Sequence, residues 1–161
     1  MSQEVKSASD VAGVIAPPPL IYLGFLLIGF GLQTLWPAPM VTTSWVLRVG
    51  IGVSLGLLGI LFSASGVGEF RKAQTNVNPM RPALAIVTDG PYRLTRNPMY
   101  LGLTLLYGGI AFGFNSGWML GLLVPILVVM HYGVIAREEA YLERKFGEPY
   151  REYRKQVRRW L

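Results

Sequence analysis

The stretch T-D-G-P-Y-R-L-T-R-N-P-M-Y-L-G, residues 88–102, turns from polar and turn-forming to apolar within its own length. Gly90-Pro91 reads as a turn, because glycine reaches backbone angles closed to other residues and proline fixes φ. Pro98 stands directly before the apolar run that opens at Met99. Proline is tolerated there, since the N–H it lacks has no helical partner in a first turn. Arg93, Arg96, Asn97 and Tyr100 therefore gather where a polar connector enters an apolar helix. Polar chemistry concentrated at such a boundary makes this stretch the centre of the expected site.

The run that begins at Met99 has three companions. Uncharged or nearly uncharged segments cover residues 20–36, 45–67, 99–114 and 118–136. About 20 apolar residues cross a bilayer as a helix, so each is of roughly spanning length. The chain has 161 residues, a mean hydropathy of +0.39 and 52% hydrophobic residues, above the level of soluble domains. The expectation is one all-α integral membrane domain over residues 1–161, with about four transmembrane helices in two hairpins. Trp36 suits a membrane interface, Arg48 can snorkel to the surface, and Gly52-x-x-x-Gly56 permits close helix approach. Pro125 predicts a kink in the fourth span. There is no cysteine, which excludes disulfides, zinc-thiolate sites, iron–sulfur clusters and a cysteine nucleophile. His131 is the only histidine, so no metal site is expected. It lies inside the fourth span, where an ionisable side chain is either functional or bonded to a neighbouring helix.

Charge lies between and after the apolar runs. Residues 1–18 form a polar lead-in with Glu4, Lys6 and Asp10 that ends on a proline run, and a flexible tail is expected rather than a signal peptide. Residues 69–98 form a polar connector too long for a tight turn, in which Leu84, Ala85, Ile86 and Val87 are apolar enough to dock on the protein. In the tail, residues 137–161, Leu142, Phe146, Tyr150, Tyr153, Val157 and Trp160 recur at three- and four-residue steps. That spacing predicts an amphipathic helix, broken near Gly147-Glu148-Pro149, lying on an anionic membrane surface. The connector and the tail hold thirteen of the fifteen Lys and Arg residues, and the short links 37–44 and 115–117 hold none. Four spans put both basic segments on one side, which the positive-inside rule makes cytoplasmic, together with both termini. The net charge of +6 is read as this asymmetry and as attraction to membrane lipids, not to nucleic acid.

This topology brings Tyr92, Asn97 and Tyr100 to the same membrane face as Glu138 and Glu139, which follow the second hairpin. The pair G-P-Y-R-L-T-R-N-P-M-Y-L-G and R-E-E-A-Y-L-E-R-K-F-G-E-P-Y-R-E-Y, separated by a hairpin, resembles the isoprenylcysteine carboxyl methyltransferase family and its relatives the phospholipid methyltransferases. The resemblance covers about residues 70–160. It implies S-adenosylmethionine as cofactor, a site on the cytoplasmic face and a lipophilic acceptor entering from the bilayer, either an isoprenylcysteine-like carboxylate or a phospholipid amine. By position it implies that Leu84, Ala85, Ile86, Val87, Tyr92, Asn97, Pro98, Met99, Tyr100 and Glu138 line the cofactor. Glu139 or Tyr100 would assist a proton transfer where the acceptor is an amine. Asn97 stands where the eukaryotic enzymes have histidine, and their substrate-side arginine aligns with Val134. The other function classes to weigh are an NADPH-dependent sterol-reductase-like enzyme and a non-catalytic membrane partner.

Overall fold

A computed structural model describes residues 10–40 and 44–161. Its helices are α1 (Pro18–Leu35), α2 (Trp45–Lys72), α3 (Pro98–Gly113), α4 (Gly117–Met130), α5 (Ala136–Phe146) and α6 (Glu148–Gln156). A π turn at His131–Ile135 joins α4 to α5, and Gly90–Arg93 is a single 3₁₀ turn. The chemistry of the helix starts is local. Proline opens α1 and α3, while Ser44 and Ser116 cap α2 and α4 by accepting from Leu47 N and Met119 N. Gly147 adopts φ +64°, a left-handed angle that ends α5 and lets α6 start at a bend.

Among the described residues, three helices are long and apolar enough to cross a membrane: Pro18–Leu35, Trp45–Lys72 and the continuous rod Gly117–Phe146. The third expected span is the 16-residue α3, about 24 Å long at ~1.5 Å per residue against a ~30 Å hydrocarbon core. Two expected boundaries shift. The second helix runs on to Lys72, so the irregular connector is residues 73–97. The fourth continues past Ala136 to Phe146, and its departure from regular helix is the π turn six residues beyond Pro125.

The two hairpins meet at their short links. Gly117 N donates to Ala38 O at 2.7 Å, Met40 N donates to the Asn115 side chain, and Pro39 pairs with Ser116. Connector, tail and N-terminal segment collect at the opposite end. Within the bundle α2 packs along α3 through glycines seven residues apart. A Cβ on Gly52 would stand 2.7 Å from Gly109 O, and one on Gly59 would stand 2.5 Å from Gly102 O. The seven-residue repeat keeps one stripe of each helix on the other, with no side chain between the backbones. Gly56, the second glycine of the expected G-x-x-x-G pair, has room for a Cβ against Leu106 at 3.8 Å, while its own N would stand 3.0 Å from a Cβ on Gly109. The working register is Gly52, Gly59 and Gly66.

Two parts of the polar end differ from expectation. Of the expected flexible tail, residues 1–9 lie outside the described residues, while residues 10–17 pack on the protein. Val14 is buried among core side chains, and Ile15 N donates to Gly133 O at 3.1 Å. The apolar face of the C-terminal tail is covered by the connector: Val87, Tyr92, Tyr150 and Tyr153 form one buried cluster with Ile86, Leu142, Phe146 and Val157 against it.

Candidate active site

The connector is ordered by its own polar side chains, which take up the N–H and C=O groups that no helix satisfies. Thr75 Oγ1 accepts from Leu84 N at 2.8 Å and from Ala85 N at 3.3 Å. Asn76 Nδ2 donates to Pro82 O at 2.7 Å, and Ala83 N donates to the Tyr141 hydroxyl at 3.0 Å. These bonds hold residues 84–87 against the helices, with Val87 inward and Leu84 outward.

The connector, the start of α3, the π turn and the tail enclose a cleft of about 870 Å³, counting the part open to solvent. Of the residues expected from the sequence, Ala85, Ile86, Val87, Tyr92, Asn97, Met99, Tyr100, Glu138 and Glu139 all line it. Leu84 does not and is 64% exposed. Pro98 is buried beside Gly66 at the start of α3, behind Met99. The cleft is also lined by Phe70, Asn76, Arg81, Arg96, Tyr141, Tyr150 and Tyr153. The tyrosines of this second set carried one readable signal, the three-residue step that puts Tyr150 and Tyr153 on one face. Phe70 and Asn76 carried none, because their position depends on how the connector folds back.

The adjacent carboxylates of α5 have different partners. Tyr100 Oη donates to Glu138 Oε1 at 2.7 Å, tying the start of α3 to the start of α5 as the hairpin topology predicts. Glu139 is occupied at both oxygens. Arg159 Nε donates to its Oε1 at 2.9 Å and Nη2 to its Oε2 at 2.5 Å, and Arg96 Nη1 lies 3.1 Å from Oε1. Both Glu139 and Arg96 have only 9% of their side chains exposed, so this ion cluster is largely out of water. The bidentate bond to Glu139 raises the Arg159 guanidinium above its ordinary value. Arg159 also holds the chain end in place. Its carbonyl accepts from Thr95 Oγ1 at 3.0 Å and from Asn97 Nδ2 at 2.9 Å, and Arg96 N donates to Arg158 O at 2.9 Å. His131 meets Arg159 Nη1 at 3.0 Å through Nε2, and since a guanidinium only donates, the imidazole is the acceptor.

Arg96 Nε and the Tyr92 hydroxyl stay outside this pairing, and Tyr92 is held by other contacts. Its ring packs on Phe70 with centroids 5.5 Å apart, and its backbone carbonyl accepts from Tyr153 Oη at 2.8 Å. Its own hydroxyl is buried and has no hydrogen-bond partner among the described residues. Burial raises the phenol well above its ordinary value, and the neighbouring Tyr153 and Glu138 add to the shift. A buried hydroxyl without a partner carries a desolvation cost of about 1–3 kcal/mol, and Tyr92 is one of the residues that line the cleft.

Residues 47–149 match the phospholipid methyltransferase family profile. The chain is also similar to an uncharacterized protein of Haemophilus influenzae, 49% identical over 65 residues, which covers 39% of this chain and 100% of that protein. No solved structure matches the chain. The family profile spans the connector, both helices of the second hairpin and the Glu138-Glu139 pair. The chain belongs to the phospholipid methyltransferase family and is a membrane methyltransferase.

Proposed function

We propose that this phospholipid methyltransferase family member uses S-adenosylmethionine to methylate a lipophilic acceptor drawn from the bilayer, at the cytoplasmic membrane face. The observation that carries the reading is the Tyr100–Glu138 pair, held at 2.7 Å in a cleft that Tyr92, Asn97, Met99 and the apolar residues 85–87 also line. The donor set suits such a cofactor. Glu138 offers a carboxylate to an ammonium group, an attraction strengthened where water is thin. Tyr92 offers a hydroxyl with no prior commitment. Phe70, Ala85, Ile86 and Val87 offer an apolar wall for a purine. Asn97 reaches the cleft from a fixed position, because its amide holds the carbonyl of Arg159.

When bound, this cofactor supplies an activated methyl carbon on a sulfonium. The protein's share is alignment and exclusion of water, which in favourable cases lowers a barrier by about 7–11 kcal/mol. A carboxylate acceptor needs no base. An amine acceptor releases a proton, and the Tyr100–Glu138 pair is the group poised to take it, since Glu138 keeps one oxygen outside its bond to Tyr100. Glu139 serves as a base only once Arg159 leaves it, so in this arrangement its work is to anchor the chain end. The basic connector and tail set the orientation by the positive-inside rule, with both termini cytoplasmic.

The test is a calorimetric titration of S-adenosylhomocysteine into detergent-purified protein, beside Glu138→Ala and Tyr100→Phe. Binding that Glu138→Ala abolishes and Tyr100→Phe weakens is expected. A well-folded wild type that takes up no S-adenosylhomocysteine overturns the reading.

A further inference from the structure

The segment at residues 10–16 lies outside the stretch that the family profile matches, yet it forms part of the cleft wall. It is fastened at three levels. At the π turn, where the regular i→i−4 ladder is interrupted, Ile15 N donates to Gly133 O at 3.1 Å. The Ile15 side chain covers Gly133 so closely that a Cβ there would stand 2.5 Å from its Cδ1. One turn further, Arg137 Nη1 donates to Gly13 O at 2.8 Å. At the far end Lys145 Nζ holds both carboxylate oxygens of Asp10, at 2.6 and 2.9 Å, and the Tyr141 hydroxyl donates to Asp10. Between these points Val14 is buried in the core cluster that contains Ile135, and Ala12 faces the cleft that Ile135 also lines.

This wall has one weak anchor and one anchor shared with the connector. Its outer anchor, Asp10, is 61% exposed, so the ion pair there is screened and worth little. Tyr141 receives Ala83 N from the connector and reaches Asp10 of the segment, so one hydroxyl ties two cleft walls together. We propose that residues 10–16 are a strap that closes the cleft, and that its release from α5 and the π turn is the step that lets the cofactor exchange. The identity of the exchanging molecule rests on the function proposed above; the closure itself rests on the contacts alone.

The absence of cysteine gives a clean experiment on the full chain in detergent. A single reporter, Ile135→Cys, is placed at a side chain that is 0% exposed and lines the cleft, with and without Val14→Asp, which puts a carboxylate where the strap is buried. Release of the strap raises the rate of modification by a charged, water-soluble thiosulfonate at least about ten-fold, as expected for a local opening. Equal rates in two monodisperse proteins overturn the proposal. The opposite perturbation is Ile15→Cys with Gly133→Cys. Ile15 Cγ1 lies 2.9 Å from the position of a Gly133 Cβ, so the two Cβ atoms fall within the ~3.5–4.5 Å that a disulfide bridges. Oxidation of this pair slows dissociation of S-adenosylhomocysteine at least about ten-fold and reduction restores it, and identical rates for a confirmed crosslink overturn the proposal. If wild type binds no S-adenosylhomocysteine, the cofactor assignment falls, while the reporter rates still decide the strap.

Discussion

Tyr92→Phe separates the ligand-facing role of a residue from its structural one, because the two effects have opposite signs. The substitution removes a single oxygen. The ring stays against Phe70, and the bond from Tyr153 Oη goes to the Tyr92 backbone, which does not change. In the free protein that oxygen is buried with no partner, at a cost of about 1–3 kcal/mol. Removing it therefore stabilises the free protein. A gain of about 1 kcal/mol raises Tm by roughly 2–4 °C in a chain of this size. Under the proposed function the hydroxyl is a ligand contact with a net worth of about 0.5–1.5 kcal/mol, so Tyr92→Phe is expected to weaken S-adenosylhomocysteine by about 2–12-fold. Thermal unfolding in detergent gives the first number and calorimetry the second. A lower Tm without ligand refutes the unpartnered hydroxyl, and unchanged affinity refutes its assignment to the ligand.

The glycine seam gives a second test with an internal control. Gly59→Ala sets a Cβ 2.5 Å from Gly102 O and 2.8 Å from Leu106 N, backbone atoms that move only if the helices part, and such overpacking costs about 1–3 kcal/mol. Gly24→Ala meets nothing within 4 Å, and the helix-propensity gain of up to about 1 kcal/mol is common to both variants, so its Tm should exceed that of Gly59→Ala by at least about 2 °C. Equal melting points would count against the seam. Glu139→Gln leaves Arg96 largely buried without its anion and loosens the chain end. Exchange at the Arg96 amide, which donates to Arg158 O, should quicken about ten-fold or more in deuterium uptake while α2 and α3 amides keep their protection.

The helices and the heart of the cleft were legible because each rests on a local signal. Apolar runs without charge give α1, α2, α3 and α4, and proline before Met99 gives the start of α3. Tyr100 meets Glu138 because a hairpin returns the chain to the face it left. The missed features depend on contacts between distant segments. Gly52-x-x-x-Gly56 reads as a packing motif in one helix, but the facing helix carries Gly102 and Gly109, and that seven-residue partner spacing selects Gly52 and Gly59. Residues 10–17 read as a loose tail because Asp10 and Gly13 are polar and flexible in isolation. Their partners, Lys145 and Arg137, stand more than a hundred residues later. Tyr150 and Tyr153 read as a helix face for the membrane because the connector that covers them has no periodicity to announce where it folds.

Glu138 and Glu139 show how one sequence feature serves two ends of a site. Consecutive residues on an α-helix point about 100° apart, so neither carboxylate can take the other's partners. One turns to α3 and meets Tyr100; the other turns to the chain end and meets Arg96 and Arg159. Arg96 stands beside Asn97 at the entrance to α3, and both bind the chain end, through Glu139 and the Arg159 carbonyl. The start of α5 and the start of α3 are thus tied twice, by Tyr100 to Glu138 and by Arg96 to Glu139. This arrangement holds Tyr100 and Glu138 at 2.7 Å and leaves the buried Tyr92 hydroxyl without a partner among the described residues. A change at Glu139 should therefore lower methyl-acceptor turnover by moving Tyr100 and Asn97, even where Glu138 itself is unchanged.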